Sequence, residues 1–284
     1  FDTDPFQMTG MREAVERIRF AIKKGEPIAI YGDYDVDGVT STALLVETLT
    51  FFNANVRGYI PNRFEEGYGL NTNALDELKA DGVQLVITVD CGIRSPDEAL
   101  HAQTIGLDLI ISDHHHPDGE NLPPALAVIN PKRRDCPSCL DHLAGVGVAF
   151  CLAIALRKHL RDNRFWEGRT EPNLRSLCDL VALGTIADMV PLLEDNRILA
   201  KTGLELISST QRPGLVALIE ACGFAKAQDL YAYEMDVALL AKLLSVPSGV
   251  TVPRLRKDPD WDKLRGYPPF EALLADPKNN EPLF

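Results

Sequence analysis

The chain has 284 residues, 45% hydrophobic and 25% charged, with a formal net charge of −12; this is an ordinary composition for one large or two medium globular domains. It excludes a helical membrane span, since no apolar run approaches the roughly 20 residues a bilayer requires. It also argues against tight nonspecific nucleic-acid binding, which needs Lys and Arg facing phosphates.

The chain starts Phe1–Asp2–Thr3–Asp4, without a basic-then-apolar leader, so a cytoplasmic location and no membrane partner are expected. Met11–Lys24 places Ala14, Val15, Ile18 and Ile22 on one helical face. Pro27–Tyr31 reads as a strand and 38–52 as a helix. Val56–Ile60 is a second strand and Leu75–Ala80 a short helix. A third strand, Gln84–Val89, precedes a helix started by Ser95 as cap, Pro96 and an acidic first turn. Asp108–Ser112 and Ala127–Ile129 complete five strands. Repeated strand–helix–strand patterning predicts an α/β fold, a parallel five-stranded sheet flanked by helices. From Leu143 a helical segment follows, with helices from Gly145 to about Leu160 and over 173–186, 196–208 and 213–222. Tyr233–Leu244 reads as a helix, and Pro247–Pro269, rich in Pro, Arg and Asp, as loop or linker. The expected division is an α/β core over 1–160, a helical part over 161–224 carrying one further carboxylate, and a linker or remnant over 225–284.

Acidic and imidazole side chains gather just past the strand ends. Asp33, Asp35 and Asp37 follow the first strand, Asp90 the third, and Asp113–His114–His115–His116 the fourth; Asp188 comes later, after an apolar run. In an open parallel sheet, ligands bind at the carboxyl ends of the strands, and crowded carboxylates repel unless cations lie between them. A metal-dependent hydrolase is therefore expected. On extended backbone, the period-two spacing puts Asp33 and Asp35 forward as ligands and leaves Asp37 as a structural cap or supporting group. Asp90 is placed to bridge two metals. Of the three imidazoles, one can ligate, its neighbour can face substrate, and Asp113 can orient a ring; His116 is left out because Pro117 turns the loop away. Arg63 can pair with a phosphate or with Glu66, and Tyr68 can offer a stacking face. Gly145 and Gly147, at a helix start, fit either phosphate approach or close packing. Lys132–Arg133–Arg134 and Arg157–Lys158 are local basic clusters. Cys136 and Cys139 have the spacing of half a zinc knuckle with no second pair.

These segments carry a resemblance. Asp113–His114–His115 resembles the motif of the DHH phosphoesterase family. The segments 32–38, 60–69, 89–92, 143–150 and 184–191 resemble, more narrowly, its RecJ-type single-strand-specific 5′-to-3′ DNA exonucleases. Relatives that hydrolyse pyrophosphate or cyclic dinucleotides begin the first motif with His, where this chain has Asp33. The resemblance implies two Mn²⁺ or Mg²⁺ ions on Asp33, Asp35, Asp90, His114 and Asp188, with His115 at the scissile phosphate and Arg63 on a substrate phosphate near the 5′ end. It implies single-stranded DNA as partner, other DNA-repair proteins as further partners, and a role in DNA repair and recombination. The family's second domain, with a Gly-Gly-His motif, is largely absent from this chain. A phosphoesterase of short oligonucleotides or nucleotide phosphates, or a noncatalytic DNA-binding scaffold, are the alternative expectations.

Overall fold

The computed structural model describes residues 3–62, 69–119, 121–222, 252–257 and 264–280. The chain forms two compact units, Phe1–Gly203 and Leu204–Phe284.

In the first unit, helix α1 (Met11–Lys24) leads into β1 (Pro27–Tyr31), α2 (Val36–Phe51), β2 (Asn55–Tyr59), α3 (Thr72–Ala80), β3 (Leu85–Val89), α4 (Pro96–Thr104), β4 (Asp108–Ser112) and β5 (Ala127–Ile129). All five strands are parallel, in the order β2-β1-β3-β4-β5. The central strand β3, Leu-Val-Ile-Thr-Val, is buried at every position, as a parallel strand covered on both faces must be. Edge strand β2 is largely exposed and carries Arg57, paired with Asp81 at 2.6 Å. The chain winds outward in both directions from β1 and β3. Their carboxyl ends therefore flank the point where the strand order reverses, which is where such sheets open a crevice.

Two further helices, α5 (Gly145–Asp162) and α6 (Cys178–Ala187), complete the wall over that crevice, and α7 (Glu194–Ile207) follows them in the chain. α5 is apolar nearly all round and buries twelve residues, from Gly145 to Leu160, which is why it sits inside rather than on the surface. α6 packs on α2 at Gly184, where an added Cβ would lie 2.4 Å from Thr40 Oγ1 and 2.8 Å from Val146 Cγ1. That close approach brings the end of α6 over the crevice. Asn196, fully buried, donates to the carbonyls of His142 (2.7 Å) and Pro191 (3.0 Å) and pins the segment after α6.

The second unit contains helix α8 (Pro213–Ala221), helices Val252–Lys257 and Pro268–Ala275, and a small core of Val252, Leu255, Leu264, Phe270 and Leu274. The region 247–269, expected as loop or linker, thus forms a helix at Val252–Lys257: Val252 and Leu255, three apart, bury one face against Phe270. The expected helix at Tyr233–Leu244 lies outside the described residues. Ser95 sits at the start of α4, but its side chain makes no capping bond; Pro96 and the acidic Asp97 and Glu98 occupy the first turn. Among the described residues no helix is long and apolar enough to cross a membrane.

Gly184→Ala should force α6 off α2 and cost about 1–3 kcal/mol, the usual range for overpacking. Chemical denaturation in the presence of a chelator measures this, and an unchanged midpoint would contradict the packing.

Candidate metal centre

Three loops and two helices deliver the charged groups. After β1 the chain is extended for only a few residues before α2 begins at Val36. Asp33 is buried, and its Oδ1 accepts the Tyr34 N–H at 2.7 Å. Asp35 is the N-cap of α2 and accepts the Gly38 N–H at 2.9 Å. Asp37, in the first turn of α2, crosses to α5 and accepts the N–H groups of Gly145 (2.6 Å) and Val146 (2.8 Å). The capping role expected of Asp37 is therefore real, but the helix it caps is α5; Asp35 caps its own helix.

Asp90 follows β3 in a left-handed backbone conformation, φ 63°, held by its N–H to the Ser112 carbonyl at 3.0 Å. A non-glycine residue there stores strain, and such strain gathers at functional sites. The start of α5 lies directly against it: a Cβ on Gly145 would fall 2.7 Å from Asp90 Oδ1. Gly145 gives its N–H to Asp37, and Gly147 packs against Leu143. Of the two expectations for this Gly-x-Gly, the structure realises close packing.

Asp113 organises the loop after β4. Its Oδ1 accepts the backbone N–H groups of His114 (2.7 Å) and His115 (3.0 Å) and lies 2.8 Å from His115 Nδ1; its Oδ2 accepts the Ile93 N–H at 2.9 Å. His114 points inward, with Nε2 at 3.1 Å from Asp90 Oδ1, 3.6 Å from Asp188 Oδ2 and 3.8 Å from Asp37 Oδ2. His115 Nδ1 is 3.9 Å from Asp90 Oδ1. His116 is exposed, and its carbonyl accepts from Arg94 at 2.9 Å.

Three groups of side chains here have ligand atoms close enough to share an ion: Asp33–Asp35–Asp90, Asp37–His114–Asp188 and Asp90–His114–His115. Asp33, Asp35, Asp90, His114 and Asp188 are thus brought together as expected, and Asp37 joins them. No group among the described residues includes Cys136 or Cys139. Cys136 Sγ instead lies 3.2 Å from Ser138 Oγ, and Cys139 Sγ faces the Pro137 carbonyl. Arg63 and Tyr68 lie outside the described residues.

The electrostatics mark this as a cation site. Burial, then Asp37, Asp35, Asp113 and Asp188, push the Asp90 carboxyl up to about 12. Burial, then Asp188, push Asp37 up to about 8 against the two α5 N–H groups. Burial and Asp35 raise Asp188 to about 6. Burial and the neighbouring His115 lower His114 to about 4, so its ring is neutral, the form that ligates metal. The Asp113 hydrogen bond raises His115 despite partial burial. Burial alone would raise Asp113, but the His115 side chain and the surrounding N–H donors hold it below the ordinary range. Asp90 Oδ1 and His114 Nε2 are buried without a hydrogen bond. Buried polar atoms of this kind are rare in a finished structure unless an ion or water completes them. Mixed carboxylate and imidazole donors suit Mn²⁺, and Mg²⁺ with more oxygen ligation.

Two further residues bear on the site: Asn130 had no signal in the sequence, and Lys132 stood out there only as part of a basic cluster. Asn130, fully buried after β5, donates to the His115 carbonyl at 2.9 Å and accepts the Lys132 N–H at 2.8 Å. Lys132 opposes the Asp188 shift and lowers His114, so its charge reaches the cluster. Only the pairing of a strand end with Pro131 could have drawn attention to Asn130.

The metal-free chain has a defined pH response. Asp37, Asp90 and His115 have folded pKa values raised above their unfolded ones, so their stabilising contribution is complete at low pH and is lost as pH rises through the folded values. His114 has the opposite sign, but its contribution is complete above about pH 6.5. Between about pH 6.5 and pH 8, thermal stability in chelator should therefore fall. Saturating Mn²⁺ should remove that fall, because the ion takes the place of the protons. Melting curves that drop equally with and without Mn²⁺ would count against the site.

Comparison with known proteins agrees with this geometry. Over 220 residues, 78% of this chain and 26% of the relative, it is 49% identical to the single-stranded-DNA-specific exonuclease RecJ of Bacillus subtilis (strain 168). A crystal structure of exonuclease RecJ bound to manganese matches with a TM-score of 0.71 at 34% identity, covering 94% of this chain and 64% of that one. RecJ of Thermus thermophilus in complex with Mn²⁺ matches with a TM-score of 0.67 at 31% identity, covering 94% of this chain and 36% of that one. This chain therefore spans about a quarter of the Bacillus relative's length. Residues 27–185 match the DHH family, N-terminal domain, and the chain belongs to the DHH family.

Proposed function

We propose that this chain is the catalytic part of a metal-dependent nuclease that hydrolyses phosphodiester bonds of single-stranded DNA from the 5′ end, releasing 5′-mononucleotides. The observation that carries the chemistry is the buried, unbonded Asp90 Oδ1 facing the unbonded His114 Nε2 at 3.1 Å. The substrate class is supported by the names of the relatives, which are single-stranded-DNA-specific exonucleases.

Asp33, Asp35 and Asp90 would hold one Mn²⁺ or Mg²⁺ ion and Asp37, His114 and Asp188 a second. When bound, two such ions polarise the phosphodiester and activate water for in-line attack. The chain's own groups do the rest. Asp113 fixes the His115 ring through Nδ1 and keeps the imidazolium favoured, which leaves Nε2 to donate a proton or hydrogen bond to a phosphate oxygen. Asp37 ties α2 to α5 through two N–H groups, so the loop after β1 and the wall formed by α5 keep a fixed spacing. Residues 1–160 with 161–224 would form the catalytic core, with 225–284 as connector or remnant. The work expected of such a chain, DNA repair and recombination with other repair proteins, belongs in the cytoplasm.

Asp90→Ala should reduce Mn²⁺-dependent release of nucleotides from single-stranded DNA by more than about 100-fold, beyond what losing a supporting group costs. Circular dichroism should stay unchanged, because removing one carboxylate relieves repulsion. A near-normal rate in the folded variant would overturn the central role of Asp90.

A further inference from the structure

The loop after β5 carries a basic feature that the metal centre does not use. Lys132, Arg133 and Arg134 line a cavity of about 530 Å³ together with His116, Pro117 and Leu122. The cavity begins at the residue next to His115. In a chain of net charge −12, three successive cations beside the reaction centre need a reason.

Two of these cations, Arg133 and Lys132, have different situations. Arg133 braces the fold: it donates to the Val128 carbonyl and makes a double contact with Asp135 at 2.8 and 2.6 Å. Lys132 has no hydrogen-bond or ion-pair partner for its ammonium among the described residues, yet its position is fixed. Its backbone N–H is held by Asn130 Oδ1, and the same buried amide holds the His115 carbonyl through Nδ2. One side chain therefore sets the spacing between His115 and Lys132. The opposite wall, His116–Gly119, is held by Arg94, which donates to the His116 carbonyl at 2.9 Å and lies 3.4 Å from Asp118. An unpaired ammonium on a rigid turn, near a phosphate-cleaving centre, is arranged to bind an anion whose place is fixed relative to that centre.

We infer that Lys132 and the cavity beside it form a nucleotide subsite. The Lys132 ammonium binds the backbone phosphate adjacent to the scissile one, and the attached nucleoside lies over Pro117 and Leu122. This deepens the proposed reaction and rests on it for the identity of the substrate. Asn130 is a positioning residue that keeps the subsite in register with His115. The contacts assigned here fall on the phosphate, through Lys132, and on the apolar surface of Pro117 and Leu122, and such contacts read backbone and not sequence.

The test uses the full chain, a labelled oligothymidylate, and Lys132→Gln and Lys132→Glu. Mn²⁺ affinity, measured by calorimetry, should not weaken in either variant, because taking away a positive charge that reaches Asp188 and His114 favours the ion. Oligonucleotide affinity, measured by anisotropy with Ca²⁺, should fall roughly ten-fold in Lys132→Gln, as for loss of one charged hydrogen bond, and further in Lys132→Glu. The slope of log affinity against log salt should drop by about 0.7, one phosphate's worth on a single strand. In turnover, KM should rise with kcat near wild type. If the wild-type chain binds the oligonucleotide with a Lys132-dependent slope but cleaves nothing, the subsite stands and the proposed reaction fails. If it cleaves normally and Lys132→Gln keeps wild-type KM and salt slope, the subsite is wrong and the reaction stands. Wild-type protein that holds Mn²⁺ but shows no salt-dependent affinity for the strand also overturns the subsite.

Discussion

Two like charges about 4 Å apart repel by about 4 kcal/mol at an effective dielectric of about 20. Asp90 meets that repulsion from Asp37, Asp35, Asp113 and Asp188 at once, while almost completely shielded from water. The fold holds these groups together anyway. It places Asp90 on a strained left-handed residue, packs a glycine against it and surrounds it with buried helices. Without an ion these carboxyls are held by taking up protons, and a cation in the gap lets them ionise together; the rest of the site is arranged around that exchange.

The sheet makes the crowding possible. Because strand order reverses between β1 and β3, the carboxyl ends of both open into one crevice, and β4 adds the Asp113 loop on the far side of β3. The helical wall closes it: α5 places its N–H groups against Asp37, and α6 ends at Asp188. Two residues then control orientation without taking part in the cluster. Asp113 gathers in the loop that bears both histidines and ties it to the Ile93 N–H, and Asn130 links that loop to the turn after β5. The negatively charged core and the positively charged cavity are thus neighbours with a fixed separation, a layout suited to a polyanion that must be both held and cut.

Four strands, β1, β3, β4 and β5, were legible in the sequence because each is a short apolar run ending beside a charged or polar residue, and β2 was legible from its place between two helices. The same contrast made Asp33, Asp90, Asp113 and Asp188 stand out, since a carboxylate at the end of a buried strand or helix has few structural uses. Which N–H groups Asp35 and Asp37 would cap was not legible. Period-two spacing assumes extended backbone, but the chain turns helical at Val36, so Asp35 becomes a cap and Asp37 swings round to α5. Ser95 carried a good capping signature, yet its backbone at φ −119°, ψ 59° departs from the extended form caps adopt, and no bond forms. The Gly145–Val146–Gly147 motif left packing and phosphate approach equally open, because only tertiary structure shows which partner claims the N–H groups. Lys132 stood out only as one of a basic cluster; its link through Asn130 to the His115 loop is a contact across loops, which no local pattern encodes.

The most direct test of the account is anomalous diffraction from crystals grown with Mn²⁺. Strong peaks should appear within the group formed by Asp33, Asp35 and Asp90 and within that formed by Asp37, His114 and Asp188. Well-ordered crystals in which Asp90 and His114 keep the same positions with no manganese density between them would contradict it.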